Sequence, residues 1–150
     1  LKKFKGLKYR QQIIYKSKNL TIINDSKATS YSSSISILKS LSNVYWIIGG
    51  LAKKGDKFLL SKKECKTFKA YIFGKNKNVF IKDLRNVMNC EKFTNLRLLI
   101  YKILKDIKKE KNKKNKTILF SPSAASFDNF KNFEERGKYF NNLIHKAINV

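Results

Sequence analysis

Cysteine and histidine are scarce in this sequence, which argues against most metal sites and most nucleophilic mechanisms. Its 150 residues include two cysteines, Cys65 and Cys90, and a single histidine, His145. The cysteines lie far apart and outside any C-x-x-C spacing, so we interpret them as reduced thiols of a cytoplasmic protein and predict neither a disulfide nor a zinc site. His145 has no evident partner in the sequence for a metal site or a Ser/His/Asp triad, and we expect it on a helix surface.

Long apolar runs and phosphate-binding loops are missing too. No run reaches the roughly 18 apolar residues that a membrane span needs, so none is predicted. The P-loop pattern G-x-x-x-x-G-K-[ST] occurs nowhere in the chain. Hydrophobic residues nevertheless make up 42% of the sequence and aromatic residues 13%. That is enough apolar material for a packed core, and the length suggests one domain.

Acidic residues are few, and this is the strongest compositional bias. Ten Asp and Glu stand against 34 Lys and Arg, which gives a formal net charge of +24. A basic surface attracts phosphate, so a nucleic-acid-binding α/β module is one alternative for the function. The basic residues are almost all Lys, however, whereas base reading favours Arg, and they are spread along the whole chain. We therefore expect no nucleic-acid partner, and we interpret the densest run, residues 108–116, as a solvated loop.

Strand-like and helix-like apolar periods alternate along the chain. Two short strands are predicted at residues 12–16 and 20–24 around a hairpin-like turn. Further strands are predicted at 44–48, 70–73, 87–88 and 117–120, and helices at 30–41, 76–84, 94–110 and 128–147. Asp128 is expected at the N-cap or in the first turn of the last helix. The pattern predicts an α/β fold with a Rossmann-like, mostly parallel sheet of about six strands, flanked by helices, and an antiparallel hairpin near the N-terminus.

In such sheets ligands bind at the carboxyl ends of the strands, which draws attention to the loops after residues 24, 49 and 120. The first loop, residues 24–29, carries a carboxylate, an ammonium and two hydroxyls before a predicted helix. The free N–H groups of a helix start can receive an anion. A capped helix start with one stray lysine explains the same residues equally well.

The second and third loops also offer groups for an anion. In residues 49–56, Gly49 and Gly50 permit a close backbone approach, and Lys53 and Lys54 could point at a carboxylate or phosphate. A plain polar turn is the alternative. In residues 121–137, small hydroxyl residues lead into a helix whose N-terminus favours an anion. The alternative there is a capped helix with core phenylalanines, and Phe130 is assigned to the core.

Four segments resemble signatures of one enzyme family. Residues 24–29 are N-D-S-K-A-T, and residues 49–53 resemble G-G-x-x-K. Residues 121–137 resemble S-P-A-x-A-S-x-D-x-F-x-x-F-x-x-R-G, and residues 4–10 resemble F-x-G-L-x-H-R. In this order and spacing, the chain resembles the C-terminal domain of the D-glutamate-adding branch of the Mur ligase family. A sister Mur ligase or folylpolyglutamate-type ligase domain is a further alternative.

The resemblance implies an ATP-dependent ligase of peptidoglycan precursor synthesis in the cytoplasm. In that family ATP phosphorylates the terminal carboxylate of UDP-N-acetylmuramoyl-L-alanine, and the amine of D-glutamate displaces the phosphate. The central domain holds ATP and Mg²⁺, and the C-terminal domain binds D-glutamate and closes over the nucleotide. Residues 1–150 would then be the C-terminal domain, with Leu1 to Lys8 forming approximately the linker from the central domain. We expect a monomer that has no activity without the other domains.

The resemblance also implies residue roles. The D-glutamate site would consist of Thr29, Lys53, Ser126, Phe133 and the backbone of Phe127. The nucleotide would be contacted by Arg10, Asp25 and Lys27. Lys27 would lie near the reacting phosphate as the one catalytic candidate. Tyr9 departs from the family, which usually has His there.

Overall fold

The computed structural model describes residues 7–148, which form a six-stranded sheet with helices on both faces. The strands are β1 (Gln12–Lys16), β2 (Leu20–Asn24), β3 (Val44–Gly49), β4 (Leu51–Ala52), β5 (Phe68–Phe73), β6 (Asn89–Lys92), β7 (Lys116–Phe120) and β8 (Ala124–Ala125). The helices are α1 (Tyr31–Leu38), α2 (Lys77–Leu84), α3 (Leu96–Lys109) and α4 (Phe133–Ile148).

The main sheet has the strand order β1-β2-β7-β3-β5-β6. Every neighbouring pair is parallel except β1 and β2, which form an antiparallel hairpin with an irregular register between Ile13 and Tyr15. The remaining two strands, β4 and β8, pair with each other as a separate small ribbon. The α/β fold with a mostly parallel sheet and an N-terminal hairpin is therefore confirmed.

The central strands are buried on both faces, as expected for a parallel sheet covered by helices. In β3 the side chains of Val44, Trp46 and Ile48 belong to one core, with α1 and α2, and those of Tyr45 and Ile47 to the other, with α3 and α4. This alternation follows from the two-residue period of a strand. With helices on both faces of the sheet, the connecting loops lie where the strands begin, at the amino edge, and where they end, at the carboxyl edge.

Two predictions of secondary structure are wrong. The strand after α2 is β6 (Asn89–Lys92), not residues 87–88, because the N–H groups of Val87 and Met88 donate to Leu84 O and close the turn after α2. The last helix begins at Phe133, not at 128, because the Asn132 side chain accepts the Glu135 N–H at 2.8 Å and caps it.

Two residues before α4 consequently differ from expectation. The Asp128 carboxylate does not cap α4, since it accepts the Lys75 N–H at 3.1 Å. Phe130, assigned to the core, is only half-buried, with its ring centroid 5.5 Å from that of Tyr139. The short strands β4 and β8 were not predicted at all.

The other predictions concern the surface and the chain ends. Of the segment predicted as a linker, Leu1 to Gly6 lie outside the described residues, and Leu7 and Lys8 are exposed. Residues 111–115 form an exposed loop between α3 and β7, and His145 is exposed on α4. Both cysteines are free thiols, Cys65 buried and Cys90 half-buried. Within residues 7–148 no helix has the length and apolarity to cross a membrane.

Candidate functional site

Three loops meet at the carboxyl edge of the sheet. Strand β7 pairs in parallel with β2 on one side and with β3 on the other. The loops that follow these strands, residues 25–30, 50–56 and 121–132, therefore start side by side. These are the loops in which the sequence carries its family signatures.

The second and third loops are joined through their backbones. Leu51 pairs with Ala125 and Ala52 with Ala124 in the β4–β8 ribbon. Glycine is required here, because a Cβ on Gly50, whose φ is +131°, would stand 2.5 Å from the Ala125 carbonyl oxygen. Lys53 and Ser126 each follow a strand of this ribbon directly, so their backbones belong to one rigid platform.

The first and third loops are joined by Arg136, for which the sequence predicts no role. The Arg136 guanidinium donates to Ser26 O at 2.6 Å, to Ser26 Oγ at 3.1 Å and to Ala124 O at 2.8 Å. The side chain is 1% exposed, and this burial lowers its pKa to about 10, so it stays cationic at neutral pH. The sequence does carry a sign of this role, because Arg136 falls on the buried face of α4, between Phe133 and Phe140.

Asp25 is buried and directly precedes Ser26, which accepts hydrogen bonds from Arg136. Its carboxylate accepts hydrogen bonds from Gln11 N–H at 3.1 Å and from Ser121 Oγ at 2.8 Å. Burial raises the pKa of Asp25, while the two hydrogen bonds and the charge of Arg10 act in the opposite direction. Asp25 thus ties the N-terminal segment to the first and third loops, and the predicted nucleotide-binding residue Arg10, which is exposed, lies in that segment.

Lys27 and Phe133 are brought together, although 106 positions separate them in the sequence. The Lys27 ammonium lies 5.6 Å from the centroid of the Phe133 ring. The backbone below is also tied, because Ser26 Oγ donates to Phe133 O at 2.8 Å. A residue predicted near the reacting phosphate is thereby adjacent to one predicted at D-glutamate.

The remaining predicted residues differ in exposure. Thr29 and Lys53 are exposed. Phe127 is 70% exposed, so most of its ring faces solvent. Ser126 is buried at 3% exposure. A cavity of about 310 Å³ at this edge is lined by Lys53 together with Asp56, Asn76 and Asp83, but by none of the other predicted D-glutamate residues. The three loops therefore converge, while Lys53 is the one predicted D-glutamate residue among those that line this cavity.

Curated relatives of this chain carry the name of one enzyme. The UDP-N-acetylmuramoylalanine–D-glutamate ligase of Wolbachia sp. subsp. Brugia malayi (strain TRS) is 38% identical over 146 residues, which are 97% of this chain and 29% of that ligase. The ligase of the same name from Rickettsia felis is 38% identical over 93% of this chain and 31% of its own length. The chain is homologous to one part of the D-glutamate-adding Mur ligases.

This part is short relative to the whole enzyme. The chain spans about a third of the length of the curated relatives it matches, including the ligase of Prochlorococcus marinus (strain MIT 9312), at 37% identity. Among solved structures, the MurF ligase from Thermotoga maritima in complex with ADP matches 97% of this chain and 33% of its own, at 15% identity and a TM-score of 0.46. No protein-family model matches the chain.

Proposed function

We propose that this chain is the C-terminal, D-glutamate-binding domain of an ATP-dependent ligase that joins D-glutamate to UDP-N-acetylmuramoyl-L-alanine. The observation that carries the proposal is the meeting of the three signature loops at one sheet edge, in a chain homologous to part of these ligases. Loops that are rigidly joined can hold a small ligand in one orientation, which a ligase needs to aim the attacking amine.

The amino-acid side of the proposed site comprises Thr29, Lys53, Ser126, Phe133 and the Phe127 backbone. An ammonium and hydroxyls suit the two carboxylates of D-glutamate, and an aromatic ring suits its methylene groups. A Lys–carboxylate contact at about 4 Å contributes roughly 4 kcal/mol at an effective dielectric constant near 20, before desolvation. Lys53 is therefore the residue whose loss should weaken D-glutamate binding most.

The nucleotide side of the proposed site comprises Arg10, Asp25 and Lys27. Arg10 would contact the phosphates, Asp25 the ribose, and Lys27 the phosphate that is transferred. The position of the Lys27 ammonium over the Phe133 ring supports a site in which the two sides touch. These groups would reach the reaction when the domain closes over the nucleotide.

We place the binding of ATP and Mg²⁺ mainly outside this chain, in the rest of a cytoplasmic, monomeric enzyme. Within residues 7–148, no three His, Cys, Asp or Glu side chains lie together as ligands for a metal ion. Because the proposal places the ATP-binding groups outside this chain, the chain alone is expected to release no phosphate from ATP. Phosphate release by the isolated 150 residues would contradict this part of the proposal.

The test is phosphate release by a full-length ligase that contains this segment. Activity should require ATP, UDP-N-acetylmuramoyl-L-alanine and D-glutamate, and a panel of other amino acids should fail to replace D-glutamate. Lys53→Ala should raise the KM for D-glutamate about 10- to 100-fold, because a hydrogen bond to a charged group contributes about 1.5–3 kcal/mol. Lys57→Ala, which changes an exposed lysine just after the same loop, is the control and should leave the KM unchanged. An unchanged KM in Lys53→Ala would refute the assignment of the site.

A further inference from the structure

Asp56 joins the segment that carries Lys53 to the segment that carries Thr29. Its carboxylate accepts a hydrogen bond from Tyr31 N–H at 2.7 Å, and its own N–H donates to Lys53 O at 3.2 Å. Tyr31 is the first residue of α1 and lies two residues after Thr29. One aspartate thus closes the turn around Lys53 and fastens that turn to the helix behind Thr29.

The chemistry of a helix start explains why an aspartate stands here. The first N–H groups of a helix have no partner within the helix, and its N-terminus carries partial positive charge. The N-cap Ser30 uses its hydroxyl for Ser33 N–H, so the Tyr31 N–H needs an acceptor from elsewhere in the chain. The Asp56 carboxylate supplies it with a charge-assisted hydrogen bond from 25 residues away.

Lys53 is held differently on its two sides. Before it, Ala52 is fixed by pairing with Ala124 and by donating its N–H to Asn76 Oδ1 at 2.9 Å. After it, Lys54 and Gly55 are exposed, and a Cβ built on Gly55 would meet no atom within 4 Å. Asp56 is the next residue along the chain whose side chain bonds to the body of the fold.

The fold does not depend on Asp56 alone at this point. Phe58 follows closely, with its ring centroid 5.5 Å from that of Tyr31 and 5.6 Å from that of Trp46. This aromatic contact anchors the chain beyond the turn. Loss of the Asp56 carboxylate should therefore loosen the Lys53 turn and leave the hydrophobic core in place.

We propose that Asp56 is a positioning residue for D-glutamate binding, which sets the placement of Lys53 relative to Thr29 without touching the substrate. This inference rests on the proposed function, because it takes Lys53 and Thr29 as D-glutamate ligands. The role requires a hydrogen-bond acceptor at this position, and the negative charge of Asp56 strengthens that bond without being essential to it.

The test compares Asp56→Ala, Asp56→Asn and Asp83→Ala in the full-length ligase that contains this segment. Asp83 is a matched control, because its carboxylate accepts from the hydroxyl of the same Tyr31 at 2.8 Å and lines the same cavity, but does not bond to the Lys53 turn. Asp56→Ala should raise the KM for D-glutamate about tenfold with little change in kcat. Asp56→Asn, whose amide oxygen still accepts, and Asp83→Ala should stay near the wild-type KM.

Hydrogen exchange gives a second readout that does not depend on turnover. The amides of Tyr31 and of residue 56, which are hydrogen-bonded in the wild type, should exchange faster in Asp56→Ala, and should not do so in Asp83→Ala. This measurement also reports whether each variant keeps its core, because strands β3 and β7 should remain protected.

The possible outcomes separate this inference from the proposed function. If Lys53→Ala raises the KM for D-glutamate but Asp56→Ala does not, the positioning role is wrong and the proposed site stands. If Asp56→Asn is as impaired as Asp56→Ala, the charge itself is needed, and the positioning role is overturned. If Lys53→Ala leaves the KM unchanged, the proposed site fails and takes this inference with it.

Discussion

The ring of Tyr9 lies directly against the backbone of Gly137, so that a Cβ built on Gly137 would stand 2.3 Å from Tyr9 Cδ1. Tyr9 is also bonded through its backbone, because its carbonyl accepts the Lys27 N–H at 3.0 Å. Tyr9 therefore connects the N-terminal segment to α4 and to the first loop. This contact gives a structural role to the residue at which the sequence departs from the family's usual His.

Gly137→Ala should destabilise the chain, although it places a better helix former inside α4. Alanine is favoured over glycine in a helix interior by about 1 kcal/mol. Forcing a methyl group into a filled space typically costs about 1–3 kcal/mol. We expect the clash to win and the free energy of unfolding, measured by urea denaturation, to fall by about 1 kcal/mol. In a Tyr9→Ala background the same substitution should be neutral or stabilising, and equal losses in both backgrounds would contradict this packing.

Arg136→Met should destabilise the fold more strongly. A buried ion pair can often be replaced by apolar side chains without loss. Here, however, the partners are the carbonyl oxygens of Ser26 and Ala124, which would stay buried without a donor. Each such group costs about 1–3 kcal/mol, so we expect a loss of about 2–5 kcal/mol in the free energy of unfolding. Lys138→Met, at an exposed position of the same helix, is the control. If Lys138→Met loses as much stability as Arg136→Met, the loss does not come from the Arg136 hydrogen bonds.

Asp25→Asn should change the pH dependence of stability. Burial is the largest influence on the pKa of Asp25 and raises it above the usual 3.8. Between the unfolded and the raised folded pKa, the folded state binds more protons, so this group's contribution to stability falls as the pH rises through that window. Asparagine can still accept from Gln11 N–H and has no charge to bury.

In the wild type, the contribution of Asp25 to the free energy of unfolding should decline as the pH rises above about 4. We expect this decline to be absent in the Asp25→Asn variant. The measurement is urea denaturation at a series of pH values, with Asp128→Asn as the control for a half-buried carboxylate. Identical pH profiles for wild type and Asp25→Asn would show that the pKa of Asp25 is not raised.

The sequence predicted the elements whose signal is local. The limits of β1 and β2 match the predicted residues 12–16 and 20–24, because each is a short apolar segment bounded by turn residues. The meeting of the three loops also follows from local signals, since the carboxyl ends of parallel strands share one edge. The start of α4 was missed because Phe130 is in helical register with Phe133, while the cap at Asn132 ended that register.

Long-range partners could not be predicted from the same signals. The two residues each of β4 and β8 are too short to show a period, so their pairing has no local mark. The partner of Arg136 at Ser26 is 110 positions away. All roles assigned to single residues stay predictions, since they rest on the resemblance of the motifs: those at D-glutamate (Thr29, Lys53, Ser126, Phe127 and Phe133) and those at the nucleotide (Arg10, Asp25 and Lys27).

The pairing of β4 with β8 has a consequence for protein engineering. Because Leu51 and Ala52 are in register with Ala125 and Ala124, the second and third loops cannot change length independently. Replacement of one loop by a segment of different length would shift this register and displace Lys53. Segments 49–56 and 121–126 would have to be transplanted as a set, with Arg136 retained to hold Ala124.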